Sequence, residues 1–313
     1  MDTSESWKAL APLPEGVAGH AMASDAREGL WVAGGSLWRD GVKVIQDEIR
    51  YLQPGGAEWQ HRGGIPGGWA YGGGAVEGDA LYLAGGIGTD GLRADILRID
   101  LVSGHVSQMG ALLAGRAYCA AAVMDGGLWI MGGSENADDL SQADTRVFRF
   151  DLADGTLREY ASAPGSGWVN PLLLCVGGKL YAFPGSRWSV DAKRLIPFEG
   201  VFVFSPDQSA WEVVPVEVSL PRAMSGVALG QKAVCLAGGV VTSSSAATIE
   251  GHVWIYDARN GHLSTGPNLP EARLGAAMAS TAGRVFISGG EDKPRSRAAD
   301  VWSLELGTAE PAQ

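Results

Sequence analysis

Short apolar segments recur along the chain, and each ends in a pair of glycines or a close equivalent. Five copies read LWVAGG, LYLAGG, LWIMGG, VCLAGG and FISGG, and the fourth in chain order, LYAFPG, has Phe183 and Pro184 before its glycine. A polar loop and a second apolar segment follow each copy. Short apolar runs bounded by glycine predict buried β-strands. The final glycines of the six copies are Gly35, Gly86, Gly133, Gly185, Gly239 and Gly290.

These glycines divide the chain into six units of similar length. Successive final glycines lie 51, 47, 52, 54 and 51 residues apart. A period of about 50 residues with a diglycine after a short strand resembles the kelch repeat, whose units are the four-stranded blades of a β-propeller. The sequence therefore predicts an all-β fold, a six-bladed kelch-type β-propeller forming one domain over 1–313. The approximate blades are 16–61, 67–110, 114–161, 166–213, 220–265 and 271–306.

The N-terminal segment supplies a strand that the sixth unit lacks. Trp7 stands in SESWKAL at a position like those of Trp59 and Trp211, which belong to the predicted outermost strands of blades one and four. The sixth unit ends soon after Trp302 without such a strand. We therefore expect residues 4–10 to complete blade six and close the ring, which removes unpaired sheet edges.

Composition narrows the classes of partner. A net charge of -11 and a pI of about 4.9, with no basic stripe, disfavour binding to nucleic acid. No apolar run approaches the roughly 20 residues that a membrane-spanning helix needs, so a soluble protein is expected. The N-terminus lacks the pattern of a signal peptide. We therefore expect a cytoplasmic location, or a periplasmic one if the chain is a trimmed precursor, and the oligomeric state stays open.

Neither the cysteines nor the histidines form a recognisable metal pattern. Cys119, Cys175 and Cys235 lie in apolar strands of different units and are predicted to be free thiols. The five histidines are scattered, and Ser-His-Asp and phosphate-loop patterns are absent. The sequence therefore predicts no metal site and no cofactor. The serine-rich stretch 242–248 is predicted to be a solvated, mobile loop, and 307–313 a frayed tail.

A constant offset selects one position in each unit. The residue 17 positions before each final glycine should begin the innermost strand, beside the channel mouth. Those residues are Ala18, Trp69, Arg116, Trp168, Arg222 and Arg273. The arginines would favour an anionic ligand and the tryptophans would offer flat faces to a sugar. Tyr71 and Tyr118, two residues after Trp69 and Arg116, join the set of candidate ligand-binding residues. A purely structural role for each arginine remains the alternative.

The loop after the last diglycine carries the most specific pattern. Glu291, Lys293, Pro294 and Arg297 form G-E-x-K-P-x-x-R with Gly290. Two further segments are GVAG at 16–19 and AYG at 70–72. Together these segments resemble the bacterial N-acetylneuraminate epimerase (sialic acid mutarotase) family. In that family they follow one another blade by blade, and here their order is kept only if the last blade is followed by the first. The chain thus resembles a circularly permuted member.

The resemblance implies an isomerase that interconverts the α and β anomers of a sialic acid without a cofactor. It implies that Glu291 and Arg297 are the catalytic pair, with Glu291 as acid and base and Arg297 orienting the sugar carboxylate. We expect Arg273 and Arg297 to approach Glu291 and depress its pKa, while desolvation under a bound sugar would raise that pKa. The alternative is a non-catalytic kelch propeller that binds a protein or a carbohydrate through the same face.

Overall fold

The computed structural model describes residues 6–242, 246–281 and 283–306. These residues form six four-stranded antiparallel sheets arranged as blades. The predicted tail 307–313 and part of the predicted loop 242–248 lie outside the described residues, as do residues 4 and 5 of the closing segment. One 3-10 helix, Leu140–Gln142, lies in the third blade's long loop. Within the described ranges, no helix is long and apolar enough to span a membrane.

The strands of each blade run from the channel outwards. Blade one consists of Ala21–Ser24, Leu30–Ala33, Glu48–Leu52 and Gln60–Gly64. Blade two consists of Gly73–Glu77, Ala80–Ala84, Asp95–Asp100 and Val106–Ala111. Blade three consists of Ala120–Met124, Gly127–Met131, Val147–Asp151 and Leu157–Tyr160. Blade four consists of Leu172–Val176, Lys179–Phe183, Val201–Ser205 and Ala210–Val214. Blade five consists of Ser225–Leu229, Ala233–Ala237, Val253–Asp257 and Leu263–Thr265. Blade six consists of Ala277–Thr281, Arg284–Ser288, Val301–Glu305 and Lys8–Ala9.

The N-terminal strand completes blade six, as predicted. Lys8 pairs with Ser303 and Ala9 with Trp302 in antiparallel register. Three outer-strand tryptophans repeat one contact, in which the indole Nε1 donates to a carbonyl just after the outer strand of the preceding blade. The pairs, 2.9 to 3.1 Å apart, are Trp7 with Pro267, Trp59 with Ala11, and Trp211 with Ala161. The all-β, six-bladed propeller closed by its N-terminal strand is therefore confirmed.

In the five blades that have a diglycine, it joins the blade to the next one. The second glycine of a pair donates its N–H to a carbonyl at the start of the following blade, and the last such bond, from Gly290 to Val17, closes the ring at 2.8 Å. Gly34 has φ of +66°, and a Cβ there would lie 2.2 Å from the Trp69 carbonyl oxygen. A larger residue would push the two backbones apart, so glycine is required at this approach.

Apolar side chains are buried between neighbouring blades. One such cluster joins Trp31 and Ile49 of blade one to Leu81, Leu83 and other residues of blade two. The innermost strands surround a central cavity of about 480 Å³. Small residues such as Gly74, Ala121 and Ala277 line it. Small side chains at these positions leave the axis of the ring open, while the apolar core lies between the blades.

Four two-stranded hairpins extend the face on which the diglycine loops lie. They are Ser36–Arg39 with Val42–Ile45, Ile87–Gly88 with Gly91–Leu92, Ser186–Ser189 with Arg194–Pro197, and Val240–Thr242 with Ala247–Ile249. The opposite connections are tight turns, such as the one at Asp125 and Gly126. The long-loop face therefore offers most of the irregular backbone on which a binding site can be built.

Candidate functional site

Isolated β-bridges mark one equivalent position in every blade at the channel mouth. Each bridge pairs a residue just before the innermost strand with the residue that follows the diglycine. The pairs are Ala18 with Ser36, Ala70 with Ile87, Ala117 with Ser134, Val169 with Ser186, Arg222 with Val240, and Leu274 with Glu291. Arg222 and Glu291 thus both belong to the ring of bridged residues around the mouth.

The residue after each inner bridge position has a left-handed backbone. These residues are Gly19, Tyr71, Tyr118, Asn170, Ala223 and Gly275, with φ between 49° and 67°. Around part of the ring each N–H donates to the carbonyl of its predecessor, as from Tyr118 to Tyr71 at 2.6 Å. Tyrosine rarely adopts this conformation, and such residues concentrate at functional sites. The Tyr71 and Tyr118 rings lie 5.8 Å apart, centre to centre.

The bridges correct the constant offset that was used to select mouth residues. In blades one and five the bridge residue stands 17 positions before the final glycine, whereas in the other four blades it stands 16 positions before it. The offset therefore selects the bridge residue itself only for Ala18 and Arg222. In the remaining blades it selects a residue one position earlier, which lies deeper between blades. Those four residues are Trp69, Arg116, Trp168 and Arg273.

The prediction that Trp69 and Trp168 offer sugar-binding faces at the mouth is wrong. Both indoles are fully buried. Trp69 Nε1 donates to the Gly85 carbonyl at 2.9 Å, and Trp168 stacks on Phe198 with ring centres 3.7 Å apart. The carbonyls of both tryptophans accept the interblade bond from a diglycine. These residues hold neighbouring blades together and have no face free for a ligand.

The prediction that Arg116 and Arg273 line the mouth is also wrong. Each is 1% exposed. Arg116 binds both carboxylate oxygens of Asp144, at 2.8 and 3.0 Å, and one oxygen of Glu135 at 3.1 Å. Arg273 holds two carboxylates, at 2.8 Å each, from Glu271 and Asp300. A buried guanidinium needs such partners, and their charges cancel the positive potential expected for a free arginine.

Arg297 ties blade six to blades one and two. Its Nη1 lies 2.9 Å from Oε1 of Glu291. Its Nε donates to the Ser36 carbonyl at 2.9 Å, and its Nη2 reaches the hydroxyls of Ser36 and Tyr71 at 3.1 and 3.0 Å. A further bond runs from Nη1 to the Ser296 carbonyl. This 6% exposed side chain thus donates four hydrogen bonds to protein atoms and forms an ion pair with the Glu291 carboxylate.

Burial raises the pKa of the Glu291 carboxyl, and the positive charges of Arg297 and Lys43 oppose that rise without cancelling it. The prediction of a depressed pKa is therefore wrong, because desolvation is already present without a sugar. Arg273 pairs with Glu271 and Asp300 instead, and the positive charges that act on Glu291 are those of Arg297 and Lys43. Lys43, from the first hairpin, lies with its Nζ 5.2 Å from the centre of the Tyr71 ring.

The three motif segments converge on this point. A Cβ on Gly16 would lie 2.2 Å from the Arg297 carbonyl oxygen, so the GVAG segment packs directly under the glutamate loop. A Cβ on Gly19 would lie 2.5 Å from the Tyr71 ring, so the same segment also packs against AYG. Glycine is needed at both close approaches. Residues distant in sequence thus form one cluster around Glu291.

Comparisons with known proteins bear on the fold. No protein-family model matches the sequence. The chain is 29% identical over 131 residues to "Kelch-like protein 25" of Xenopus tropicalis, and 30% identical over 163 residues to "Kelch-like protein 35" of Mus musculus. The solved structure described as "Structure of YjhT" superposes on 97% of this chain and 99% of that one, with a TM-score of 0.76 and 15% identity. This chain is therefore a six-bladed β-propeller whose repeat is similar to that of kelch proteins.

The curated relatives are much longer than the propeller. The matches cover 42% and 51% of this chain but only 21% and 26% of those proteins. What the whole relatives do is therefore not carried over. The likeness to YjhT, at 15% identity, shows the fold alone.

Sequence reasoning missed three residues of the site, and all three lie in the first hairpin of the propeller. Ser36 follows the first diglycine as Glu291 follows the last, so its bridge position could have been found from the repeat. Lys43 and Trp38 had no such signal, because their proximity depends on how the hairpin folds over the mouth. Trp38 lies under the Arg297 guanidinium, 5.9 Å from ring centre to Cζ.

Proposed function

We propose that this propeller interconverts the α and β anomers of a sialic acid, with Glu291 as the general acid and base. The observation that carries the proposal is a half-buried carboxyl of raised pKa, bound to Arg297 where the three motif segments meet. A carboxyl whose pKa lies above its ordinary value can both take and return a proton. The motif resemblance supports the choice of sugar.

Mutarotation needs two proton transfers and no change of oxidation state. The Glu291 carboxylate takes the proton of the anomeric hydroxyl. The bond from the anomeric carbon to the ring oxygen then breaks, and its electron pair goes to the ring oxygen, which gains a proton from the carboxyl or from solvent. The open-chain ketone rotates and closes on its other face by the reverse steps. The chemistry consumes no cofactor.

Arg297 acts in this scheme as a positioning residue. The resemblance implies that it orients the sugar carboxylate, but its side chain is nearly buried, donates four hydrogen bonds to protein atoms and is already paired with Glu291. We therefore assign it to hold Glu291 in place and to limit the rise of its pKa. Tyr71 and Tyr118 stay candidates for contact with the sugar, since their left-handed backbones hold them at the mouth.

Direct observation of anomer exchange tests this function. N-acetylneuraminate released from a glycoside starts as one anomer, and NMR follows its approach to equilibrium. The protein at catalytic concentration should shorten that time well below the uncatalysed value, and it should leave the exchange of a neutral sugar such as glucose less affected. An unchanged time course with folded protein would contradict the proposal.

A non-catalytic binding propeller is the second candidate function. The tips of the first and third hairpins of the long-loop face expose Val42 and Val190, which are 64% and 78% accessible. Loops carried on a rigid scaffold are common binding surfaces, and the hairpins of this face could contact a protein partner in that way. If the protein folds normally and does not accelerate anomer exchange, this candidate replaces the first.

A further inference from the structure

Arg222 differs from the three other arginines that the sequence suggested as site residues. Arg116 and Arg273 each hold two carboxylates, and Arg297 holds Glu291. Within the described ranges Arg222 has no carboxylate partner. Its Nε reaches the Thr242 hydroxyl at 3.3 Å and its Nη1 the Ser186 hydroxyl at 3.4 Å, and both contacts are long for hydrogen bonds.

The positive charge of a second arginine acts on this half-buried guanidinium. Burial, and then the charge of Arg194, lowers the pKa of Arg222. Arg194 is exposed and begins the returning strand of the hairpin that Ser186 opens, so one blade-four hairpin carries both the hydroxyl that contacts Arg222 and the second positive charge. Two neighbouring cations without a counter-ion are unfavourable, especially when one is partly desolvated. The chain has 35 acidic and 24 basic residues, yet among the described residues no carboxylate forms an ion pair with Arg222 or Arg194.

The position of Arg222 follows from the one-residue shift in blade five. Because Arg222 is itself the bridge residue, it lies at the mouth, whereas Arg116 and Arg273 precede their bridge residues and are buried. In blades three and six an aspartate before the third strand neutralises the buried arginine. The corresponding Glu250 of blade five binds His252 instead, at 2.9 Å. Arg222 is thus left with a planar set of donors that suits a carboxylate or a phosphate.

We propose that Arg222 and Arg194, with the hydroxyls of Ser186 and Thr242, form an anion subsite at the junction of blades four and five. It receives the carboxylate or phosphate of a ligand bound at the channel mouth. The subsite does not depend on the proposed function, because its contacts join blades four and five, whereas Arg297, paired with Glu291, contacts blades one and two.

Binding measurements with matched sugars test the subsite. Calorimetry would compare N-acetylneuraminate, N-acetylmannosamine 6-phosphate and neutral N-acetylmannosamine, on wild type, Arg222→Gln and Arg158→Gln. Arg158 is an exposed outer-strand residue, so its substitution removes the same charge away from the mouth. Arg222→Gln should weaken binding of the preferred anionic sugar by about 10- to 100-fold, the range for a lost charge-assisted bond, and leave the neutral sugar unchanged.

The two anionic sugars distinguish a carboxylate site from a phosphate site. The sugar whose affinity falls more in Arg222→Gln carries the anionic group that the subsite binds. Arg222→Lys keeps the charge without the planar donors and should lose less affinity than Arg222→Gln, and melting temperatures check that both fold. Equal losses for neutral and anionic sugars, or no loss for either anion, would overturn the subsite.

A second experiment makes no assumption about the sugar. Phenylglyoxal modifies accessible arginines, and mass spectrometry of peptides reports each one. Inorganic phosphate or acetate should slow modification of Arg222 and Arg194 several-fold while leaving Arg158 unchanged. Absence of protection by either anion would refute the subsite and leave the role of Glu291 untouched. Protection in a protein that shows no mutarotation would instead support the subsite and contradict the proposed function.

Discussion

Replacing Arg116 by methionine tests whether this arginine stabilises the fold or binds a ligand. The change removes a bidentate bond to Asp144, a bond to Glu135 and a bond to the Gly132 carbonyl. Loss of one partner of a buried ion pair costs about 3 to 5 kcal/mol. Asp144 is 25% exposed and keeps Arg146, which reduces the cost. We expect a loss of about 2 to 4 kcal/mol in the free energy of unfolding.

Urea unfolding at pH 7 measures this loss, with Arg158→Met as the control for an exposed arginine. Burial acts to raise the pKa of Asp144, but Arg116 and Arg146 together hold it below its ordinary value. A carboxyl whose pKa is lower in the folded than in the unfolded state stabilises the protein at pH values above its unfolded-state pKa. That stabilisation is lost as the pH falls through the folded-state pKa. The difference between wild type and Arg116→Met should therefore narrow below about pH 4. A stability change under about 0.5 kcal/mol, together with weakened sugar binding, would refute the structural assignment.

Three further predictions follow from other residues. Deletion of residues 1–10 removes the outer strand of blade six and Trp7, and it should cost at least about 3 kcal/mol in thermal unfolding; an unchanged melting temperature would contradict the closure. Burial lowers the pKa of His20 to about 4, so the free energy of unfolding should fall by up to about 3 kcal/mol as the pH drops from about 6.5 to 4. Urea unfolding at several pH values should show this fall in wild type, and His20→Gln should remove most of it. Arg297→Gln removes a charge that lowers the pKa of Glu291, so the acid limb of kcat/KM should move to higher pH; an unmoved limb would show that Arg297 does not act through Glu291.

The architecture could be predicted because its signals are local. Glycine is required where the next blade's backbone approaches closely, as at Gly34, so the repeat appears as a diglycine in five blades and as Pro184-Gly185 in the fourth. The N-terminal closure was predictable because Trp7 repeats the environment of Trp59 and Trp211, and the contacts of the three indoles agree. Both signals come from contacts to the backbone that recur between neighbouring blades.

The mouth residues were harder to predict because a one-residue shift is not visible in the repeat. Arg222 is followed by alanine, as Arg116 is, and the two arginines align in sequence. The bridges nevertheless pair Arg222 in blade five but Ala117 in blade three. Whether an arginine is buried also depends on a carboxylate that reaches it from another strand, such as Asp144. That partnership depends on tertiary packing, which periodicity does not report.

The measurement that tests the central claim most directly is the rate of N-acetylneuraminate anomer exchange by wild type, Glu291→Gln and Glu212→Gln. Glu212 lies exposed on the outer strand of blade four and controls for the same chemical change away from the mouth. Glutamine at 291 keeps the size of the side chain but cannot take a proton. We expect Glu291→Gln to be slower by about 10² to 10⁴ and Glu212→Gln to match wild type. A folded Glu291→Gln protein that exchanges anomers as fast as wild type would contradict the assignment of Glu291 as the catalyst.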